Sequence, residues 1–276
     1  MSNECNEKIS AEALVNLPHY GIAELLQVMK ILRSENGCPW DKEQTHQSIR
    51  ADFLEECYEA VEAIDADSVP MMREELGDVL LQVVFHCEIE EELDHFRFDD
   101  ICDELCRKLI VRHPHVFGDV TVSNSGEVLK NWDAIKKQTK SQETYTDTLN
   151  GVCKALPALM YAQKLGKRAG RAGMDWQTAE EAFGCIPAET QELKEAIAGG
   201  DKQQMTAELG DLLFSVVNVA RKLGIDAETA LRESSEKFVK RFARTEELVC
   251  ADGNNMPDLS LETLDGYWDK AKAEEE

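Results

Sequence analysis

One acidic cassette occurs twice in this chain, and a pattern written twice has to fold twice. The first copy reads Glu55-Glu56-Cys57-Tyr58-Glu59, then Glu75-Leu76-Gly77-Asp78. The second reads Gln191-Glu192-Leu193-Lys194-Glu195, then Glu208-Leu209-Gly210-Asp211. A Lys-x-x-x-Arg pair follows each copy, Lys108/Arg112 and Lys237/Arg241. Each copy closes on Trp-Asp-x-x-Lys, Trp132 to Lys136 and Trp268 to Lys272. The spacings 192 − 56, 195 − 59 and 268 − 132 are all 136, whereas 208 − 75 is 133. A duplication of this period divides 276 residues into two domains, each long enough to bury its own core. Residues 1–137 and 151–276 are the expected domains, with the polar stretch 138–150 between them as a linker.

Helical periodicity dominates both copies. Phe53, Leu54, Cys57, Ala60, Val61 and Ile64 recur at three and four residues, and Leu76, Val79, Leu80, Val83 and Val84 do the same. Leu209 to Val219 repeats the second pattern, and strand-like alternation is scarce. The expected fold class is all-α. Asn36-Gly37-Cys38-Pro39 breaks a helix after Arg33, and Asp67 to Pro70 and Ala198 to Asp201 are matching turns. A helix carrying Lys108 and Arg112 stops at His113-Pro114-His115. Residues 1–8 and 272–276 are expected to fray.

With a formal net charge of −24, the chain lacks the basic face that nucleic acid or an anionic membrane requires. A small polyphosphate stays possible, because a bound cation inverts the local field. No apolar run approaches the ~20 residues that cross a bilayer, and Met1-Ser2-Asn3-Glu4 does not open a signal peptide. The expectation is a cytoplasmic protein. Its nine cysteines form no Cys-x-x-Cys and read as reduced thiols.

On a helix, Glu56 and Glu59, or Glu75 and Asp78, share a face. A short turn between two such helices makes a hairpin with its acidic faces turned inward, and unneutralised carboxylates there repel and are costly to desolvate. A hard divalent cation, Mg²⁺ or Mn²⁺, removes that cost. Taken alone, Glu-Glu-x-x-Glu is more often a solvated face; two copies, each running straight into an apolar helix, favour a metal site. Gly77 and Gly210 cost about 1 kcal/mol each inside a helix, which suggests a close neighbour. A di-iron bundle is the rival, since Glu43/His46 and Glu92/His95 have Glu-x-x-His spacing. All six histidines lie at or before His115, however, so a metal site common to both copies is carboxylate-only. The Lys-x-x-x-Arg pairs suit adjacent phosphates, and Trp132 and Trp268 suit a base or the core. Trp40 and Trp176, also 136 apart, precede the acidic helices.

Gly37-Cys38-Pro39-Trp40-Asp41-Lys42-Glu43-Gln44-Thr45-His46, then Arg112-His113-Pro114-His115-Val116-Phe117-Gly118, then Leu156-Pro157-Ala158-Leu159 with Gly173-Met174-Asp175-Trp176 together resemble the MazG family over essentially the whole chain. The resemblance implies tandem MazG-like helical bundles, a homodimer, and Mg²⁺-dependent hydrolysis of nucleoside triphosphates to monophosphate and pyrophosphate, with loose base preference. Carried onto this sequence, it implies metal ligands Glu56, Glu59, Glu75 and Asp78 in the first domain. In the second they are Glu192, Glu195, Glu208 and Asp211. It implies Glu55 in water activation, Glu192, Lys237 and Arg241 as catalytic, and Lys108, Arg112, Trp132, Lys237, Arg241 and Trp268 against the nucleotide. Gln191 replaces the first glutamate in copy two and cannot take a proton, though Glu189 lies nearby. Which domain turns over is left open. The alternatives are another nucleotide pyrophosphate as substrate, or a non-catalytic protein whose acidic helices bind a partner.

Overall fold

Apolar residues at three- and four-residue spacing become helices throughout. The structure, a computed structural model, describes residues 11–124, 126–128, 131 and 144–275. Among these the elements are α-helices and one short 3-10 turn, with no strand. The chain divides into two compact units, Met1–Ile135 and Lys136–Glu276.

The first unit holds α1 (Ala11–Val15), α2 (Ile22–Arg33), α3 (Pro39–Glu43), α4 (Arg50–Asp65), α5 (Val69–Glu92), α6 (Phe98–Arg112) and α7 (Pro114–Phe117). Helices α4 and α5 form the central hairpin, and α2 packs on α5. Met29, Ile49, Val84, Phe85 and Ile89 make the core, with Leu25, Leu26, Leu81 and Phe98 around them. Arg33 fixes the surrounding turns. Its Nε and Nη2 donate to the Glu92 carboxylate at 2.7 and 2.8 Å, its Nη1 donates to the Asp41 and Gln44 carbonyls, and its guanidinium lies 5.3 Å from the Phe85 ring centre. At Gly37 a Cβ would fall 2.2 Å from the Leu32 carbonyl oxygen, so no side chain fits the turn that delivers Pro39 to the start of α3.

The second unit holds α8 (Tyr145–Asn150), α9 (Ala158–Arg171), α10 (Ala179–Phe183), α11 (Ile186–Gly199), α12 (Lys202–Leu223), α13 (Ala227–Ala251), the 3-10 turn Met256–Asp258 and α14 (Leu261–Ala273). Its hairpin is α11–α12, flanked by α9 and α10, while α13 pairs with α14. Gly200, at φ 73°, takes the left-handed cap that ends α11, and the Asp201 side chain accepts from the backbone N–H groups that open α12.

Three expectations meet a different outcome. Part of the stretch read as linker is the helix α8, because Thr144 and Asp147 cap it reciprocally, at 2.8 and 3.1 Å, and Arg168 donates to the Thr148 carbonyl. Residues 272–275 do not fray. Helix α14 runs through Ala273, and Glu274 and Glu275 pair with Arg244 and Arg241 at 2.6 and 2.7 Å. Gly77 and Gly210 face open space, with no atom within 4 Å of an added Cβ, so nothing among the described residues packs closely there. Residues 1–8 lie outside the described residues.

Glu88 is a charge buried in the first unit, 8% exposed, and burial pushes its pKa up to about 7. The neighbouring cations are already engaged, Lys30 with Glu91 and Arg33 with Glu92. Because the folded-state pKa lies above the unfolded one, the folded state holds more protons between about pH 4.5 and 7, and stability falls as pH rises through that window. Glu88→Gln is expected to stabilise the first unit by about 1–3 kcal/mol at pH 8 and by almost nothing at pH 4.5. Urea unfolding at the two pH values measures this, and equal effects at both would refute it.

Candidate metal and nucleotide site

Each hairpin concentrates carboxylates where its two helices face each other. In the first, Glu56 on α4 and Glu75 and Asp78 on α5 each offer an oxygen, all within 4.8 Å of one another. Glu59 joins them through a hydrogen bond to Glu75. Desolvation, then the charges of Asp78, Glu59 and Glu75, raises the Glu56 carboxyl above its ordinary range. Glu75 rises for the same reasons, with Glu59 its foremost charged neighbour. Glu55 adds repulsion at Glu56 but does not enter the group.

In the second hairpin the group is Glu189, Glu208 and Asp211. Glu192 hydrogen-bonds to Glu208, whose pKa is raised by desolvation and then by Glu192, Asp211 and Glu189. Glu195 instead accepts from Gln191 Nε2 at 2.9 Å, one turn away along the same helix. These contacts define a register. The differences 189 − 56, 192 − 59, 208 − 75 and 211 − 78 are all 133, as is the difference between the first residues of α12 and α5, 202 − 69. In this register Ala188 stands opposite Glu55, Gln191 opposite Tyr58, and Glu195 opposite Glu62. Glu189 is the residue that the cassette reading undervalued. The available signal was the spacing 208 − 75, which already departed from 136.

All the donors are carboxylate oxygens, close together and short of neutralising charge. That is the donor set hard divalent cations take, and the clusters are compatible with divalent-metal use.

The predicted cations lie on other helices. Lys108 and Arg112 are on α6, and Lys237 and Arg241 are on α13. Arg241 is engaged by Glu275, and Trp268 of α14 packs on Phe238 with ring centres 5.2 Å apart. Lys237, Lys240 and Arg244 line a groove of about 660 Å³ with Ala271, Glu274 and Glu275. Trp132 lies outside the described residues. Trp40 is 59% exposed and the Trp176 carbonyl accepts from Lys222, so neither meets the carboxylates through a described contact. The Glu-x-x-His pairs do not converge on a metal: Glu92 is held by Arg33, while His46 and His95 both bind Glu90.

With this geometry in place, sequence comparison is decisive about family. The MazG nucleotide pyrophosphohydrolase domain pattern matches residues 44–117 and 177–244, and the two matches begin 177 − 44 = 133 residues apart. A Thermotoga maritima protein named nucleoside triphosphate pyrophosphohydrolase/pyrophosphatase MazG is 45% identical over 253 residues, covering 92% of this chain and 96% of its own length. An Escherichia coli K12 protein named nucleoside triphosphate pyrophosphohydrolase is 42% identical over 259 residues, covering 92% and 98%. A Bacillus subtilis protein, YabN, is 41% identical over 260 residues, which are 94% of this chain but 53% of YabN. The chain belongs to the MazG family.

Millimolar Mg²⁺ or Mn²⁺ is expected to raise the melting temperature of this protein by several degrees, since saturation at about 100 times Kd contributes roughly 2.7 kcal/mol. The increment should shrink at acidic pH, where protons compete for the same oxygens, and should vanish in the double variant Glu75→Ala/Glu208→Ala. A wild-type increment in that variant would place the ion elsewhere.

Proposed function

We propose that this protein hydrolyses nucleoside triphosphates to monophosphate and pyrophosphate with Mg²⁺ as its ion and Mn²⁺ as a substitute. The observation that carries the reading is the convergence of carboxylates on each hairpin, in a chain whose relatives of near-equal length bear that activity in their names. In the first domain the ligands are Glu56, Glu59, Glu75 and Asp78. In the second we assign Glu189, Glu192, Glu208 and Asp211, the set in constant register, with Glu195 outside it. When bound, the ion neutralises the triphosphate and makes a nearby water more acidic. The residues do the rest. The carboxylates would hold that ion where the reacting α-phosphate sits, and Lys108/Arg112 or Lys237/Arg241 stabilise the departing pyrophosphate. We assign Glu55 as the acceptor of a proton from water; Ala188, opposite it in the second domain, has no such capacity, so a second-domain reaction draws its base from within the cluster.

The acidic hairpins also carry bare apolar stripes. Leu209, Leu213 and Val216 on α12 are 48%, 50% and 46% exposed at four- and three-residue spacing, and Leu54, Tyr58 and Val61 repeat the pattern on α4. Such a stripe wants a partner helix, and the open faces at Gly77 and Gly210 would let one approach. We therefore propose a homodimer paired through these hairpins. We propose a cytoplasmic location; among the described residues no helix is long and apolar enough to cross a membrane. The net charge disfavours nucleic-acid and membrane partners.

Pyrophosphate release from a panel of NTPs and dNTPs tests the reading. Glu59→Ala or Glu192→Ala should each cost its own domain about 100-fold or more, and the two together should abolish release. Glu189→Ala should behave like Glu192→Ala, and Glu195→Ala like wild type. If Glu195 matters and Glu189 does not, the register is 136. A wild-type protein inert on every triphosphate sinks the activity.

Glu275 holds the guanidinium that the second-domain reading assigns to phosphate. A part-exposed ion pair of this kind contributes about 1 kcal/mol or less. Glu275→Gln should therefore lower KM up to about five-fold at unchanged kcat, and steady-state kinetics with the first site silenced by Glu59→Ala would show it.

A further inference from the structure

In the first unit two histidines bind one carboxylate, Glu90, and a third is bonded to one of them. His46 Nε2 lies 2.6 Å from Glu90 Oε1, and His95 Nδ1 lies 2.7 Å from Glu90 Oε2. His46 Nδ1 lies 2.7 Å from His86 Nδ1, and the two rings stack with centres 5.0 Å apart and planes 17° apart. The Phe53 ring meets His86 edge-on at 5.7 Å. His46, Phe53, His86, Glu90, Phe96 and Ile101 line a cavity of about 380 Å³ whose walls are mainly apolar.

This chain of bonds determines the tautomers. An ionised carboxylate only accepts, so His46 carries its proton on Nε2 and, when neutral, offers a lone pair at Nδ1. His86 must then donate from Nδ1. Its Nε2 is left as a hydrogen-bond acceptor in the wall of an apolar cavity, with no partner among the described residues. Burial, and then the neighbouring His46, lowers the His86 pKa and keeps that ring neutral.

Position supplies the second part. Phe53 precedes Glu56 by three residues on α4, and Val83 and His86 follow Asp78 by five and eight on α5. In a hairpin both displacements run toward the same end, about 5–12 Å along the axes. That range brackets the separation of a nucleotide's phosphates from its base. The second unit has nothing comparable: in its register Ala179, Val219 and Leu223 stand opposite His46, His86 and Glu90.

We propose that the cavity seats the nucleobase of a nucleotide whose phosphates lie on the first acidic cluster, with His86 Nε2 accepting from an N–H on the base edge. This rests on the phosphate reading of that cluster. Every common base carries such an N–H, so the contact selects for a base without choosing among them. The rings of Phe53 and Phe96 supply apolar contact.

The test uses the full chain with the second site silenced by Glu208→Ala/Asp211→Ala, in Mg²⁺. Binding of α,β-methylene-ATP is compared with inorganic tripolyphosphate, adenosine, and the N6,N6-dimethyl form of the ATP analogue, which has lost its N–H donors. The ATP analogue should bind at least about ten-fold more tightly than tripolyphosphate, with the dimethyl form losing about five-fold, as for one neutral hydrogen bond. His86→Phe should weaken the ATP analogue similarly and leave tripolyphosphate unchanged. The ¹⁵N spectrum should report His86 as the Nδ1–H tautomer and move at Nε2 with nucleotide or adenosine but not with tripolyphosphate. Equal affinity for the nucleotide and tripolyphosphate, or a dimethyl form bound as tightly with Nε2 unmoved, overturns the pocket. If tripolyphosphate fails to bind while adenosine still moves Nε2, the pocket stands and the phosphate reading falls. If adenosine fails as well, both fall.

Discussion

Repulsion among carboxylates is the constraint around which both units are built. Each hairpin brings three carboxylate oxygens within 4.8 Å and sets a further glutamate against them. Desolvation and then mutual repulsion make these groups hold protons more tightly, as Glu56, Glu75 and Glu208 do. The folded chain must hold the helices together against this force. It does so with apolar packing placed away from the acids: Met29, Ile49, Val84, Phe85 and Ile89 sit beyond the acidic end of the first hairpin. A site that is electrostatically uncomfortable when empty gains most from binding a cation.

Much of this was legible in the order of residues. The helices follow from three- and four-residue apolar spacing, and their ends follow from breakers such as Asn36-Gly37-Cys38-Pro39 and Gly200-Asp201. The presence of two acidic hairpins was legible for the same reason. The register of the second was not. Glu189, Glu192 and Glu195 repeat every three residues, so sliding the alignment by three still lays glutamate on glutamate. A three-residue slip is also nearly one helical turn, so the face argument survives it. Only contact across the hairpin breaks the degeneracy, because Glu208 and Asp211 meet Glu189 while Glu195 is bonded by Gln191. The doubt raised by Gln191 in place of a glutamate belongs to the alignment at 136; at 133, Ala188 stands opposite Glu55.

The ends of the chain show a different limit. Composition makes Lys272 to Glu276 look like a solvated tail, because nothing local holds it. What holds Glu274 and Glu275 is Arg244 and Arg241, 30 and 34 positions earlier, and no periodicity announces such a pairing. The converse failure is Gly77 and Gly210. A helix-interior glycine signals close approach, yet nothing among the described residues approaches. Intrachain pairing explains the first surprise, and the proposed second copy would explain the other.

The two units have kept the same acidic hairpin and diverged around it. The first adds imidazoles and Glu90 at the open end of its hairpin, where the second has Ala179, Val219 and Leu223. The second concentrates Lys237, Lys240, Arg241 and Arg244 on one stripe of α13 and partly neutralises them with the end of α14. Each unit also carries a cluster with excess negative charge. A polyanion approaching either cluster needs something other than carboxylates to recognise: a cation stripe that must first release its own glutamates, or an apolar slot with a single oriented acceptor. An acidic cluster compatible with a divalent cation is common to both units, and the surfaces that flank it are not.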